Sequence, residues 1–143
     1  MAIGPSPDYL IDKSALSRFR HPSVAAVLEP LLLETRIAIS GVLELEVLYS
    51  ARNHQDFALT RDRLHNGYFR LAAEERDFER ATEVLELLAR RGQHRATGVP
   101  DLLQAAIAER YGVTLLHYDA DFDLIASVTG QPARWVVPRG SVS

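Results

Sequence analysis

Short apolar runs alternate with amphipathic stretches along the chain. DYLID (8–12) has the pattern of a buried strand closing on an acid, and SALSRF after it reads as a turn or short helix. SVAAVLEPLLLE (23–34) has helical spacing at Val24, Val27, Leu28 and Leu31, with Pro30 expected to bend or split it. RIAIS (36–40) is a second strand, and Ser40 is placed to cap a mostly apolar helix, GVLELEVLYSARNH. A polar helix around 55–66 follows, closed by Asn66-Gly67, and YFRLA (68–72) is a third strand candidate. The clearest helix is 73–91, with Phe78, Ala81, Leu85 and Leu88 on one stripe and Gly92 to stop it. The loop GQHRATGV leads through Pro100-Asp101 to the helix LLQAAIAERYG. VTLLHY (113–118) is the fourth strand, DFDLIASVTG another helix, and RWVVP (134–138) the last strand. There is no internal repeat and no low-complexity tract. Strands alternating with helices throughout predict an α/β domain of three layers, with a parallel sheet covered on both faces.

Composition changes this picture little. At 143 residues the chain is expected to form one domain over 8–143, after a disordered leader at 1–7. The opening MAIGPSPD lacks the basic start and apolar run of a signal peptide, and no stretch approaches membrane-spanning length. There is no cysteine, which excludes disulfides and thiolate zinc sites and fits a reducing cytoplasm. A net charge of −3 gives no global attraction to nucleic acid. The basic residues are lopsided, fifteen Arg against the single Lys13. Arginine's planar fork suits phosphate, but a GC-rich genome favouring Arg codons would produce the same bias.

The predicted architecture says where chemistry would sit. In open parallel sheets, ligands bind beyond the carboxyl ends of the strands. Asp12 ends the first strand and Asp119 the fourth, Glu46 lies in the helix after the second strand, and Asp101 opens the helix before the fourth. Each has a bland alternative: Asp12 as a turn former, Asp101 as a helix cap. Glu46 is flanked at helical spacing by Val42, Leu43, Tyr49 and Ser50, beside core positions where an unpaired carboxylate costs several kcal/mol. Glu44 is similarly flanked by Val47 and Leu48, so periodicity alone does not choose between the two glutamates. Converging acids raise one another's pKa and destabilise a fold. A hard divalent cation such as Mg²⁺ or Mn²⁺ reverses that sign, and sites of this kind serve phosphodiester hydrolysis. The histidines (His21, His54, His65, His94, His117) form no zinc-binding pair, and no Gly-rich phosphate loop or nucleophile elbow is present.

Four blocks now carry a resemblance: YLIDKSAL (9–16), ISGVLELEVLYSAR (39–52), VPDLLQAAIA (99–108) and LHYDADFDLIA (116–126). In this order, and with the final WVVP, they resemble the PIN domain, and more narrowly the VapC toxins of bacterial toxin–antitoxin pairs. The resemblance implies a PIN-like α/β/α fold with a mainly parallel sheet of four to five strands. It matches Asp12, Glu46, Asp101 and Asp119 to the family's four acids, with Ser14 as the small hydroxyl residue after the first. It implies metal binding by Asp12, Asp101 and Asp119, with Asp121 helping to hold a second metal or position water. Two positions depart from the family pattern: Ser50 stands where Gly is usual and His117 where Thr is common. Asp123, in the first turn of the next helix, receives no chemistry.

Such proteins are Mg²⁺- or Mn²⁺-dependent endoribonucleases that cut RNA, often tRNA or ribosomal RNA. They are usually dimers, held inactive by a VapB antitoxin that wraps the toxin and places an Arg in the acidic site. On this expectation Glu46 orients or deprotonates the attacking water, and Arg18, Arg20, His94 and Arg95 are candidate RNA contacts. Two other readings compete. A receiver-like signalling domain would need paired acids after the first strand and a Lys after the last, whereas this chain has one Asp and then Pro138-Arg139. A catalytically inactive PIN-fold protein-binding module would have no need of all four acids.

Overall fold

Five short parallel strands make one sheet, and the order in which they lie decides where the acids meet. The computed structural model describes residues 6–143; residues 1–5, most of the expected leader, lie outside the described residues. Its elements run β1 (Tyr9–Ile11), α1 (Lys13–Leu16), α2 (Pro22–Leu33), β2 (Ile37–Ile39), α3 (Gly41–Tyr49) and α4 (His54–Gly67). They continue with β3 (Phe69–Arg70), α5 (Glu75–Ala89), α6 (Val99–Tyr111), β4 (Thr114–His117), α7 (Asp121–Thr129) and β5 (Ala133–Trp135). The sheet order is β3-β2-β1-β4-β5, with every pairing parallel. The chain therefore grows outward from β1 in one direction, then returns to β1's other side with β4. That reversal opens a crevice at the carboxyl ends of β1 and β4.

Period-two alternation sends successive strand residues to opposite cores. Leu10, Ala38 and Leu115 face a cluster with Val84, Leu88, Ile107 and Phe122 of α5, α6 and α7. Ile11, Ile37, Ile39 and Leu116 face Val24 and Leu28 of α2 and Leu43 of α3. Both faces are covered, which is why the strands read as continuous apolar runs rather than as polar–apolar alternation. The expected three-layer α/β/α architecture is what the chain adopts.

Several boundaries differ from the sequence pattern. The strands are shorter than the apolar runs suggest, and the run expected as one helix from Gly41 to His54 stops at Tyr49. Asn53 explains the break: its side chain accepts the Asp56 N–H and starts α4 afresh. Pro30 neither splits nor ends α2. The bond it cannot donate would go to Ala26, on the exposed side of the helix, where water can take that carbonyl. In α5 the buried stripe is Asp77, Ala81, Val84 and Leu88, while Phe78 is half exposed.

Asp77 is the unexpected member of that stripe. Only 1% exposed, it receives the Arg110 guanidinium on both carboxylate oxygens, at 2.7 and 2.9 Å, and the Glu74 N–H at 2.8 Å. Burial on its own would push this carboxyl up; the bonds from Arg110 and Glu74 outweigh it and hold the group below the usual carboxylate range. Arg110 also donates to the Ala72 carbonyl, so one side chain staples α6 to both α5 and the loop before it.

Removing Arg110 strands a buried charge, and Arg110→Ala is expected to cost about 3 kcal/mol in chemical denaturation at neutral pH. Because the folded pKa of Asp77 is depressed, the stabilisation it supplies is present above the ordinary carboxylate pKa and is lost as pH falls through the folded value. The stability gap between wild type and Arg110→Ala should therefore narrow on acidification.

Candidate active site

The crevice between β1 and β4 is lined by turns that the acids build for themselves. Asp12 follows β1 directly, is 4% exposed, and caps α1 by accepting the Ser14 N–H at 2.9 Å through Oδ2. Its other oxygen, Oδ1, is buried with no partner among the described residues. Across the strand pair, His117 Nδ1 accepts the Asp119 N–H at 3.1 Å, and Asp119 Oδ1 accepts the Asp121 N–H at 2.9 Å. Each is a side chain capping the backbone two residues on, the interaction that suits Asp to the start of a turn. Ser14 joins the two sides: its Oγ accepts the Tyr118 N–H at 2.9 Å, while the Asp12 N–H donates to the Leu116 carbonyl. The small hydroxyl after the first acid thus pins the end of β4 against the start of α1.

Asp101 arrives from the other side, in the first turn of α6. One oxygen each from Asp101, Asp119 and Asp121 lies within 4.8 Å of the others, a spacing that a single cation can bridge. Asp12 is not in that trio but stands close enough for its charge to act on Asp101 and Glu46. Burial, then the charges of Asp12 and Asp119, push Asp101 up to about 8. Burial and the neighbouring Asp119 raise Asp121 as well. Burial and Asp12 raise Glu46, against a smaller opposing pull from Lys13, and Glu46 Oε1 is buried with no partner among the described residues.

The two glutamates of α3 now separate. Glu44 points away from the acids, toward a cavity of about 430 Å³ beside Tyr68, where Arg70 and His65 bind its carboxylate. Burial would raise it, but these two bases outweigh that and hold it below its ordinary value. Glu46 has no such partner and faces the crevice. The carboxylate beside that cavity is therefore neutralised, whereas the acids at the crevice face one another.

Other expected residues are distributed less tightly. Arg18 donates to the Ser14 carbonyl at 2.6 Å and stacks on the Tyr118 ring, 4.6 Å from its centroid, so its guanidinium is already engaged. Arg20 is exposed, as are His94 and Arg95 in the loop before α6. Two residues that the sequence left unremarked support the site from below. Gln104, fully buried, donates to the Ile11 carbonyl and accepts from the Ser40 hydroxyl, tying α6 to the ends of β1 and β2. A lone amide inside the apolar run LLQAAIA was the available signal. Trp135 donates its indole N–H to Asp123, which gives that acid a structural role at the head of α7.

His117, where the resemblance led one to expect Thr, is fully buried between Phe122 and Trp135. Its acceptor role at Nδ1 places the proton on Nε2 in the neutral ring, and burial lowers its pKa against the pull of Asp123, Asp12 and Asp119. A threonine hydroxyl can accept the same N–H two residues on. The substitution keeps the turn.

Known proteins resemble the chain in sequence and in fold. A family model described as the PIN domain matches residues 9–128. The chain is 42% identical to Ribonuclease VapC51 of Mycobacterium tuberculosis over 94% of its own length and 96% of that protein's. It is 38% identical to Ribonuclease VapC21 of the same species, over 93% and 96%. Among solved structures, VapBC-1 from nontypeable Haemophilus influenzae superposes with a TM-score of 0.73 at 18% identity, covering 90% of this chain and 97% of that one. A DNA-bound VapBC from Salmonella typhimurium gives 0.74 at 18%, over 92% and 99%. At such identity the structures speak for the fold alone.

The raised Asp101 has a thermodynamic consequence. A group whose folded pKa exceeds its unfolded value, about 4 for a carboxyl, adds stability below that value and loses it as pH rises through the folded pKa of about 8. In chelator-treated protein, unfolding free energy should decline between these limits, and Asp101→Asn should flatten the decline. Divalent cation added near pH 7 should expel a proton, measurable as a buffer-dependent heat in titration calorimetry.

Proposed function

The chain belongs to the PIN-domain family, in its VapC branch, and on that footing we propose that it is the toxin of a toxin–antitoxin pair, an Mg²⁺- or Mn²⁺-dependent endoribonuclease that hydrolyses RNA phosphodiester bonds. The observation that carries this reading is the meeting of Asp101, Asp119 and Asp121 within reach of one cation, beside Asp12. The residues suit a hard cation: the donors are all carboxylate oxygens, and one of them, Asp12 Oδ1, is buried with no partner among the described residues. Asp12, Asp101, Asp119 and Asp121 would hold the ion. When bound it would polarise the scissile phosphate and lower the pKa of water.

The remaining work falls to side chains. Glu46 would take the proton of the attacking water, and its raised pKa supports a base that must hold that proton in the transition state. Ser14 and His117 keep Asp12 and Asp119 in their turns, so that the acids need not reorganise during reaction. Arg20, His94 and Arg95 are the exposed cations that would meet the RNA backbone, with Arg18 behind them as a brace. The RNA substrate class is tRNA or ribosomal RNA.

The partner is a VapB-type antitoxin whose Arg would enter the acidic crevice and take the cation's place electrostatically. The names of the solved relatives, which are VapBC complexes, support a partner of this type but not the Arg contact. A groove of about 380 Å³ between α3, α5 and α6, lined by Val42, Leu45, Phe78, Val99 and Leu103 with Glu46 as its one charged residue, supports self-association of the chain as a homodimer. Residues 8–143 would act as a single domain in the cytoplasm; no helix among the described residues is long and apolar enough to cross a membrane.

Purified protein with Mg²⁺ or Mn²⁺ should cleave RNA. Asp12→Asn and Asp101→Asn should lose nearly all cleavage, and Glu46→Gln should lose on the order of 10²-fold or more while still binding Mn²⁺. Wild-type rates from either Asp variant would overturn the assignment.

A further inference from the structure

We propose that Lys13 and Tyr49 form a subsite for one unpaired nucleotide of RNA next to the scissile bond; this deepens the nuclease reading above and rests on it. Lys13 opens α1 immediately after Asp12, half-buried, and forms no ion pair among the described residues. With Leu45, Glu46 and Tyr49 it lines a shallow cavity of about 270 Å³. Tyr49 lies one helical turn beyond Glu46 on the same face of α3 and is 93% exposed. A free cation, an exposed aromatic ring and the unpartnered Glu46 carboxylate therefore border one depression.

Those are the parts that single-stranded nucleic acid uses: a positive charge for the phosphate and an aromatic face for the base. The choice of lysine sharpens the point. This chain uses Arg fifteen times and Lys once, and the single Lys stands beside the acids. An Arg fork at this position would clasp Glu46 or Asp12 through two parallel bonds and neutralise the site. An ammonium group is a compact point charge, which can hold one phosphate oxygen and leave the carboxylates free.

RNA fits this cavity better than a protein segment does. Glu46 belongs both to the cavity and to the acid crevice, so an occupant lies against the reacting phosphate. The neighbouring groove shares Leu45 and Glu46 but runs toward Phe78 and Val99 over otherwise uncharged residues, with neither the lysine nor the tyrosine in it. Base pairing hides the faces of bases in a duplex, so the subsite requires the nucleotide next to the cut to be unpaired.

The test uses one fluorescent single-stranded RNA oligonucleotide that the wild type cleaves, and the same strand annealed to its complement. Cleavage is followed with Mg²⁺, and binding by anisotropy with Ca²⁺ in its place. Tyr49→Ala should raise KM and Kd about tenfold with little change in kcat, and Tyr49→Trp should restore both. Lys13→Gln should lower the slope of log affinity against log salt by about 0.7, and the duplex should be cut far more slowly. Tyr49 is exposed, so unchanged melting separates these effects from misfolding. Wild-type KM in Tyr49→Ala together with a wild-type salt slope in Lys13→Gln overturns the subsite while leaving the nuclease standing. Duplex cleaved as fast as single strand also overturns it. A Tyr49→Ala protein that keeps its RNA KM but loses the VapB-type antitoxin assigns the cavity to protein docking, against the proposal. A wild type that neither binds nor cuts RNA removes both readings.

Discussion

Carboxylates held within a few ångströms of one another repel, and that repulsion is the constraint around which this molecule is organised. Asp101, Asp119 and Asp121 come from two separate segments, α6 and the turn after β4, and Asp12 adds a fourth charge from β1. Left to relax, the chain would splay them. It is prevented first by topology: β1 and β4 are neighbours although a hundred residues separate them, and their parallel register sets Asp12 and Asp119 beside one crevice. Local turns then fix the carboxylates, with Asp12 and Asp119 each spending one oxygen on a backbone N–H. What remains is a set of oxygens aimed inward, one of them buried without a partner, and a proton retained on Asp101 up to about pH 8.

Such a site is unfavourable to the fold and useful to chemistry for the same reason. Burial, together with the charges of Asp12 and Asp119, raises Asp101, and a divalent cation would recover part of that free energy on binding. Glu46 sits just outside the trio, raised by burial and by Asp12, and it alone of the two α3 glutamates forms no ion pair among the described residues. One helix thus presents a neutralised acid on one face and a poised one on another. The difference comes from what each face meets, Arg70 and His65 or the crevice.

That difference was not legible in the sequence. Glu44 and Glu46 have equivalent apolar neighbours, and only the folded position of Arg70, on an edge strand two residues long, assigns them. The element order and the parallel sheet were legible, because apolar runs between amphipathic helices dictate a buried parallel sheet, and its switch point directs attention to Asp12, Asp101 and Asp119. Resemblance to a family then chose Glu46. Boundaries were harder. Asn53 ends the reach of α3 by starting a new helix, a competition between two local caps that hydrophobic pattern does not register. The stripe of α5 was misplaced by one position because Asp77 counted as polar. It is buried only because Arg110, thirty-three residues away, comes to meet it.

Arg110 leads from stability back to the site. Helix α6 carries Asp101 in its first turn and Arg110 in its last, about 13 Å apart at the helical rise. At the far end Arg110 is gripped by Asp77, and Glu109 receives two bonds from Arg80, so α6 is bolted to α5 by two guanidinium–carboxylate pairs. Midway, the buried Gln104 ties the same helix to β1 and to Ser40 at the head of α3. A helix is stiff over this length, so fixing its middle and its end fixes its beginning. The attractive charges are placed at the end of α6 remote from the crevice, where they can be fully paired, and the repulsive ones at the near end, where a cation can use them. The same rod transmits the first arrangement to the second: the ion pairs on the far side hold Asp101 in place against its neighbours.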